Sequence, residues 1–200
     1  MKTMCITRPD LCDESEFDGF LAAISSGPPD YFEVRVRGLS DRRLVGLLER
    51  AVACLSATAV LANARFDLAL GAGAAGVVLP ASGLPVEDVA RETPRGFLVG
   101  RSVHSPEEAA AAIAAGADIV LLGPIFDSPE KRPFGPPLGL DVLDRLPEPA
   151  VGDAEIFLVG GIAPEKLPAL SAHRHRVAGV AAIRAFDVDP SGASAALASW

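Results

Sequence analysis

A chain of 200 residues, half of them hydrophobic, is long enough for one sizeable core and short for two, so residues 1–200 are expected to form a single domain. Asp and Glu outnumber Lys and Arg by 26 to 18, a net charge of -8 that removes the long-range positive field phosphate backbones require and argues against nucleic acid as a partner. A small anion held by a few focused basic residues is still compatible with that balance, whereas a membrane span is not expected, since no apolar run approaches ~20 residues.

The chain starts with "MKTMCITRPDLCDE", which reaches Pro9 and Asp10 before any apolar stretch of signal-peptide length, and a cytoplasmic protein is expected. Its three cysteines, Cys5, Cys12 and Cys54, form no CxxC pair, and small buried hydrophobes are expected rather than a disulfide framework or a zinc cluster. Strand-length apolar runs then recur: "MCIT", "YFEVRV", "ATAVLA", "GVVL", "GFLVG", "DIVLLG", "IFLVG" and "GVAAI". Most lack polar alternation, the pattern of parallel strands covered on both faces. Helical spacing fills the gaps. "LSDRRLVGLLERAVACL" offers Ser40 as an N-cap, with Leu44, Leu47 and Leu48 on one face. "HSPEEAAAAIAAGAD" supplies Ser105 as a cap, Pro106 at the first helical position, Glu108 for a capping box and Gly116 as the stop. Eight strands alternating with helices predict an α/β fold, a single-domain (β/α)8 TIM barrel. An open doubly wound sheet is the alternative, disfavoured by the even spacing of the strands and by the lack of an early GxGxxG turn.

In such a barrel, polar residues just after the strands gather at one rim, where active sites are built. After the second strand, Arg35 and Arg37 alternate with Val34 and Val36, so both guanidinium groups point one way, as an anion clamp or as a solvated pair. After the third, Asn63 either caps the next helix or reaches a ligand. After the fourth, "LPASGLP" is a rigid turn around Ser82 and Gly83. After the fifth, Ser102 and His104 share a face; an imidazole there suits proton transfer with the hydroxyl orienting substrate, or it belongs to the following helix start. After the sixth, "GPIFDSPEKRPFGPPLGL" reads as a binding lid carrying Lys131 and Arg132. After the seventh and eighth, backbone amides of Gly160, Gly161, Ile183 and Arg184 suit a phosphate. "HRHR", with His173 and His175, has no nearby carboxylate or thiolate and reads as a solvated basic loop rather than a metal pair.

The segments "ANARFDLALGAGAAGVVLP", "GRSVHSPEEA", "GADIVLLGPIFDSPEKRPFGPPLGL" and "VGGIAPEKL", in this order, resemble the thiamine-phosphate synthase and thiazole tautomerase (TenI-like) family of small barrels. The resemblance implies an enzyme of thiamine biosynthesis acting on a phosphorylated thiazole, with oligomeric state left open. The synthase branch uses magnesium held by two Asp residues, and the positions that match them here are Ala64 and Gly83, while the family His of the fourth strand is Val78. Arg35, Asn63 and Lys131 still match the family's pyrophosphate pocket, and Arg37 replaces a Lys. The tautomerase branch, with a small residue after the Asn and "GRSVHS" carrying its His, is similar at more of these positions. That resemblance implies catalysis by His104 with Ser102, Arg35 meeting a substrate carboxylate and no cofactor. Magnesium is expected only for the alternative, a synthase with an altered metal site. A second alternative is a non-catalytic barrel that binds the phosphorylated thiazole or thiamine.

Overall fold

The computed structural model describes residues 1–128, 135–146 and 154–200. Eight parallel strands close into a barrel in sequence order: β1 (Lys2–Ile6), β2 (Tyr31–Val34), β3 (Ala59–Asn63), β4 (Gly76–Leu79), β5 (Leu98–Val103), β6 (Ile119–Leu122), β7 (Glu155–Val159) and β8 (Gly179–Ala182), which pairs back to β1. Side chains alternate along each strand, so one set fills the barrel and the other meets the helices. Met4, Leu61, Val78, Ile119 and Phe157 pack inside, and Phe32 and Val34 pack outward. Val78, at the family's His position, is therefore part of the apolar filling.

The inner filling ends at a polar plug at the amino ends of the strands. The Tyr31 hydroxyl donates to Glu155 Oε2 at 3.0 Å, Glu155 pairs with Lys2, and the Tyr31 ring stands edge-on to Phe157 at 5.4 Å.

Helices α1 (Glu14–Ile24), α2 (Asp41–Cys54), α3 (Phe66–Gly71), α4 (Val86–Glu92) and α5 (Pro106–Ala114) follow the first five strands. After β6 and β7 the chain forms 3-10 segments instead, Asp141–Arg145 and Pro164–Arg176, before α6 (Arg184–Val188) and α7 (Ala193–Ala198) finish the chain. Pro168 lies inside the longer segment, where it removes an N–H donor and blocks a regular α-helix. His173 and His175 lie on that segment; His173 is half-buried with Nε2 3.2 Å from Asp144, so it is not the solvated side chain expected.

Local capping matches the sequence at α5 and departs from it elsewhere. The Ser105 hydroxyl accepts from Glu108 N–H at 3.1 Å, and Gly116 takes φ +92 beyond the helix end. The Glu108 carboxylate accepts from the His104 N–H at 2.8 Å, one residue outside the usual capping box, and so anchors the segment that carries the histidine. Ser40 occupies the N-cap of α2, but its side chain makes no capping bond. Of the cysteines only Cys5 is buried; Cys12 is half-buried and Cys54 is exposed. Among the described residues no helix is long and apolar enough to cross a membrane.

Candidate active site

At the carboxyl ends of the strands lies a cavity of about 100 Å³ whose lining includes Glu33, Arg35, Asn63, Ser102, His104, Gly160 and Ile183. β5 delivers Ser102 on its inward face, and His104 follows one alternation later, just past the strand end. His104 Nδ1 is 2.6 Å from the carbonyl oxygen of Gly123. A carbonyl can only accept, so Nδ1 carries the hydrogen and Nε2 of the neutral ring keeps a lone pair. The imidazole is thus oriented as a base by the end of a neighbouring strand. Gly123 can hold that carbonyl in place because β6 runs close to β7 there: a Cβ on Gly123 would sit 2.1 Å from the Val159 oxygen.

Opposite, on β2, stands an acidic residue that is not among the rim residues expected from the sequence. Glu33 is 1% exposed, paired in register with Ile6 and Leu61, and its side chain points inward like that of Tyr31. Its Oε1 accepts from Asn63 Nδ2 at 2.8 Å, while its Oε2, also buried, has no hydrogen-bond partner among the described residues. Burial pushes its pKa from 4.5 up to about 7, against the Asn63 donor and the Arg35 charge, which both lower it. The signal was in the sequence: Glu33 lies two residues before Arg35 in an otherwise apolar strand, hence on the same face.

Asn63 does not cap a helix. It is the last residue of β3, the N-cap of α3 is Arg65, and the Asn63 amide is spent on Glu33. Arg35 and Arg37 do not act as a pair either. β2 ends at Val34; Arg35 N–H then bonds the Thr7 hydroxyl at 2.7 Å and the residue lines the cavity. Arg37 N–H bonds the Pro9 carbonyl at 2.9 Å, and its side chain is exposed and outside the cavity lining. Strict alternation fails because the strand ends at Val34, before either arginine. Gly160 and Ile183 reach the cavity, whereas Gly161 and the exposed Arg184 are not part of its lining. Gly161 has φ +64, and a Cβ there would meet the Asp127 oxygen at 2.6 Å, so it serves close packing of the two loops. Lys131, like Arg132, lies outside the described residues.

Among the described residues, the two positions that match the family's magnesium carboxylates offer no donor to magnesium, which favours carboxylate oxygens together with water and phosphate. Ala64 and Gly83 carry no oxygen in their side chains, and a Cβ on Gly83 would already meet Pro80 at 3.0 Å. Among the described residues no group of three or more His, Cys, Asp or Glu could hold a metal ion.

A family model described as thiamine monophosphate synthase matches residues 3–186. The chain belongs to this family. A thiamine-phosphate synthase of Anaeromyxobacter dehalogenans is 37% identical over 179 residues, covering 87% of this chain and 78% of that protein. A thiamine-phosphate synthase of Methanoculleus marisnigri is 41% identical over 131 residues, covering 62% of this chain and 61% of that protein. A Geobacter sulfurreducens relative at 42% identity is likewise spanned over only 60% of its length. Among solved structures, a thiamine phosphate pyrophosphorylase from Pyrococcus furiosus superposes with a TM-score of 0.84 at 23% identity, over 98% of this chain and 93% of that one. At that identity the likeness speaks for the family's barrel fold.

Proposed function

We propose that the protein is a thiamine-biosynthesis enzyme that aromatises a phosphorylated thiazole carboxylate by a metal-independent proton shift, a thiazole tautomerase. The observation that carries this reading is the pinned imidazole: Gly123 holds Nδ1–H of His104, leaving Nε2 as a base at the mouth of a cavity. The reaction removes a proton from a ring carbon and places one on an exocyclic carbon, which requires positioned acid/base groups and no metal. Arg35 would meet the substrate carboxylate, Ser102 would help position the ring, and the amides near Gly160 and Ile183 would take the phosphate. The missing carboxylates at Ala64 and Gly83 weigh on the same side.

The second reading, thiamine-phosphate synthase, is favoured by the names of the Anaeromyxobacter and Methanoculleus relatives. It would need magnesium held by residues other than those two. One assay separates the readings. Purified protein in chelator should aromatise the thiazole carboxylate phosphate, and His104→Ala should slow the reaction by about 10²- to 10⁴-fold. Equal rates for the two proteins would refute the role of His104, and magnesium-dependent formation of thiamine phosphate would establish the synthase.

A further inference from the structure

The imidazole accounts for one half of a proton shift. A reaction that takes a proton from one carbon and delivers one to another can use a single group that swings between them or two groups on opposite walls. His104 is held at Nδ1 by Gly123 and at its backbone N–H by Glu108, so it is poorly placed to travel. Glu33 faces the same cavity from β2, three strands around the ring from β5. Burying a carboxyl oxygen with no partner is costly, and a structure that does so beside a reaction cavity marks that atom as waiting for a ligand or a proton. Asn63 donates to Oε1, which fixes Oε1 as an acceptor and leaves Oε2 as the atom that carries the hydrogen of the neutral acid.

We propose that Glu33 is the second catalytic group of the site: its Oε2–H gives the proton to the exocyclic carbon while His104 Nε2 takes the proton from the ring carbon. The inference rests on the tautomerase reading above and goes beyond it by making the site a two-group relay. The step balances. The C–H bond of the ring carbon breaks and its electron pair enters the ring. The exocyclic double bond becomes a single bond as its carbon takes the Glu33 proton. The enzyme is left as imidazolium and carboxylate, with its total proton count unchanged. Proton exchange with solvent then restores neutral His104 and neutral Glu33 for the next turnover.

Electrostatics fit the assignment. The charged or titratable groups facing Glu33 are Arg35, just beyond the end of its own strand, and His104 across the cavity; the buried Cys5 thiol on β1 is in register with the outward Phe32 and feels the Glu33 charge from the other face of the sheet. Burial outweighs Arg35 and keeps the carboxyl neutral up to near pH 7, which is the form a general acid needs.

The test uses the full chain with three proteins and one labelled substrate. Glu33→Gln keeps an oxygen for Asn63 and a neutral side chain but has no transferable acid proton. It is expected to lose about 10²- to 10³-fold in kcat with KM changed less than about threefold, and Glu33→Asp to recover part of the loss. The fall of kcat/KM on the alkaline side of the wild-type pH profile should also disappear in Glu33→Gln. With substrate deuterated at the ring carbon, wild-type product formed in ordinary water should carry no deuterium at the exocyclic carbon, because the two protons belong to different groups. Label carried from the ring to the exocyclic carbon would overturn the relay, as would a Glu33→Gln enzyme with wild-type kcat and pH profile. If the wild type itself fails to aromatise the substrate, the tautomerase reading falls and the relay falls with it. An active wild type beside an unaffected Glu33→Gln overturns the relay alone.

Discussion

Replacing Glu33 by Gln removes a buried ionisable group whose folded and unfolded pKa values differ, and the consequence is a pH-dependent change in stability. The folded value is raised to about 7 from 4.5, so between these two values the folded protein holds a proton that the unfolded chain has released. Stability from this group is fully present below 4.5 and is lost as pH rises through about 7. At about 1.36 kcal/mol per unit, the shift corresponds to about 3 kcal/mol. Urea unfolding followed by the fluorescence of Trp200, the single tryptophan, would be run on both proteins from about pH 4.5 to about pH 8. The variant carries a constant offset from its new amide, but that offset does not titrate. Its stability minus that of the wild type should therefore rise by about 3 kcal/mol across the range and flatten above about pH 7.5. A difference that stays level within about 0.5 kcal/mol, or that falls with pH, would refute the placement of Glu33 as a buried neutral acid.

His104→Ala should lower kcat by about 10²- to 10⁴-fold while leaving the thermal midpoint nearly unchanged, because the side chain is exposed; steady-state rates and a melting curve check both. Gly123→Ala should destabilise the protein by about 2 kcal/mol and also reduce kcat, since the added Cβ would sit 2.1 Å from the Val159 oxygen and displace the carbonyl that orients His104. Denaturant midpoints and rates measured together would show both losses. Ala64 adopts φ +65, a left-handed conformation unusual for an L residue, so Ala64→Gly should be neutral or raise stability by up to about 1 kcal/mol. A clear loss on unfolding would argue against that backbone geometry.

The strands were legible because a fully covered parallel strand leaves an unmistakable local trace, an unbroken run such as "DIVLLG" bounded by Gly. The cap of α5 was legible for a similar reason: Ser105, Pro106 and Glu108 interact within one turn. What escaped depended on contacts between strands far apart in sequence. Asn63 reads as a cap when only its neighbours are considered, but its partner lies 30 residues earlier on the adjacent strand. Glu33 is overshadowed in the sequence by the arginines that follow it, and nothing local reveals that its Oε2 is buried without a partner among the described residues. Arg37 shows the opposite error. Alternation placed it with Arg35, but the strand ends at Val34 and the face it shared on paper no longer exists. The helices expected after β6 and β7 are 3-10 segments, and Pro168 could have warned of one of them.

The most direct test of the account offers one purified sample both sets of substrates, with chelator and with added magnesium, and follows each product by chromatography. The thiazole carboxylate phosphate should be aromatised at the same rate in both conditions, with no thiamine phosphate formed in either. Thiamine phosphate appearing only with magnesium, together with an untouched thiazole carboxylate, would contradict it.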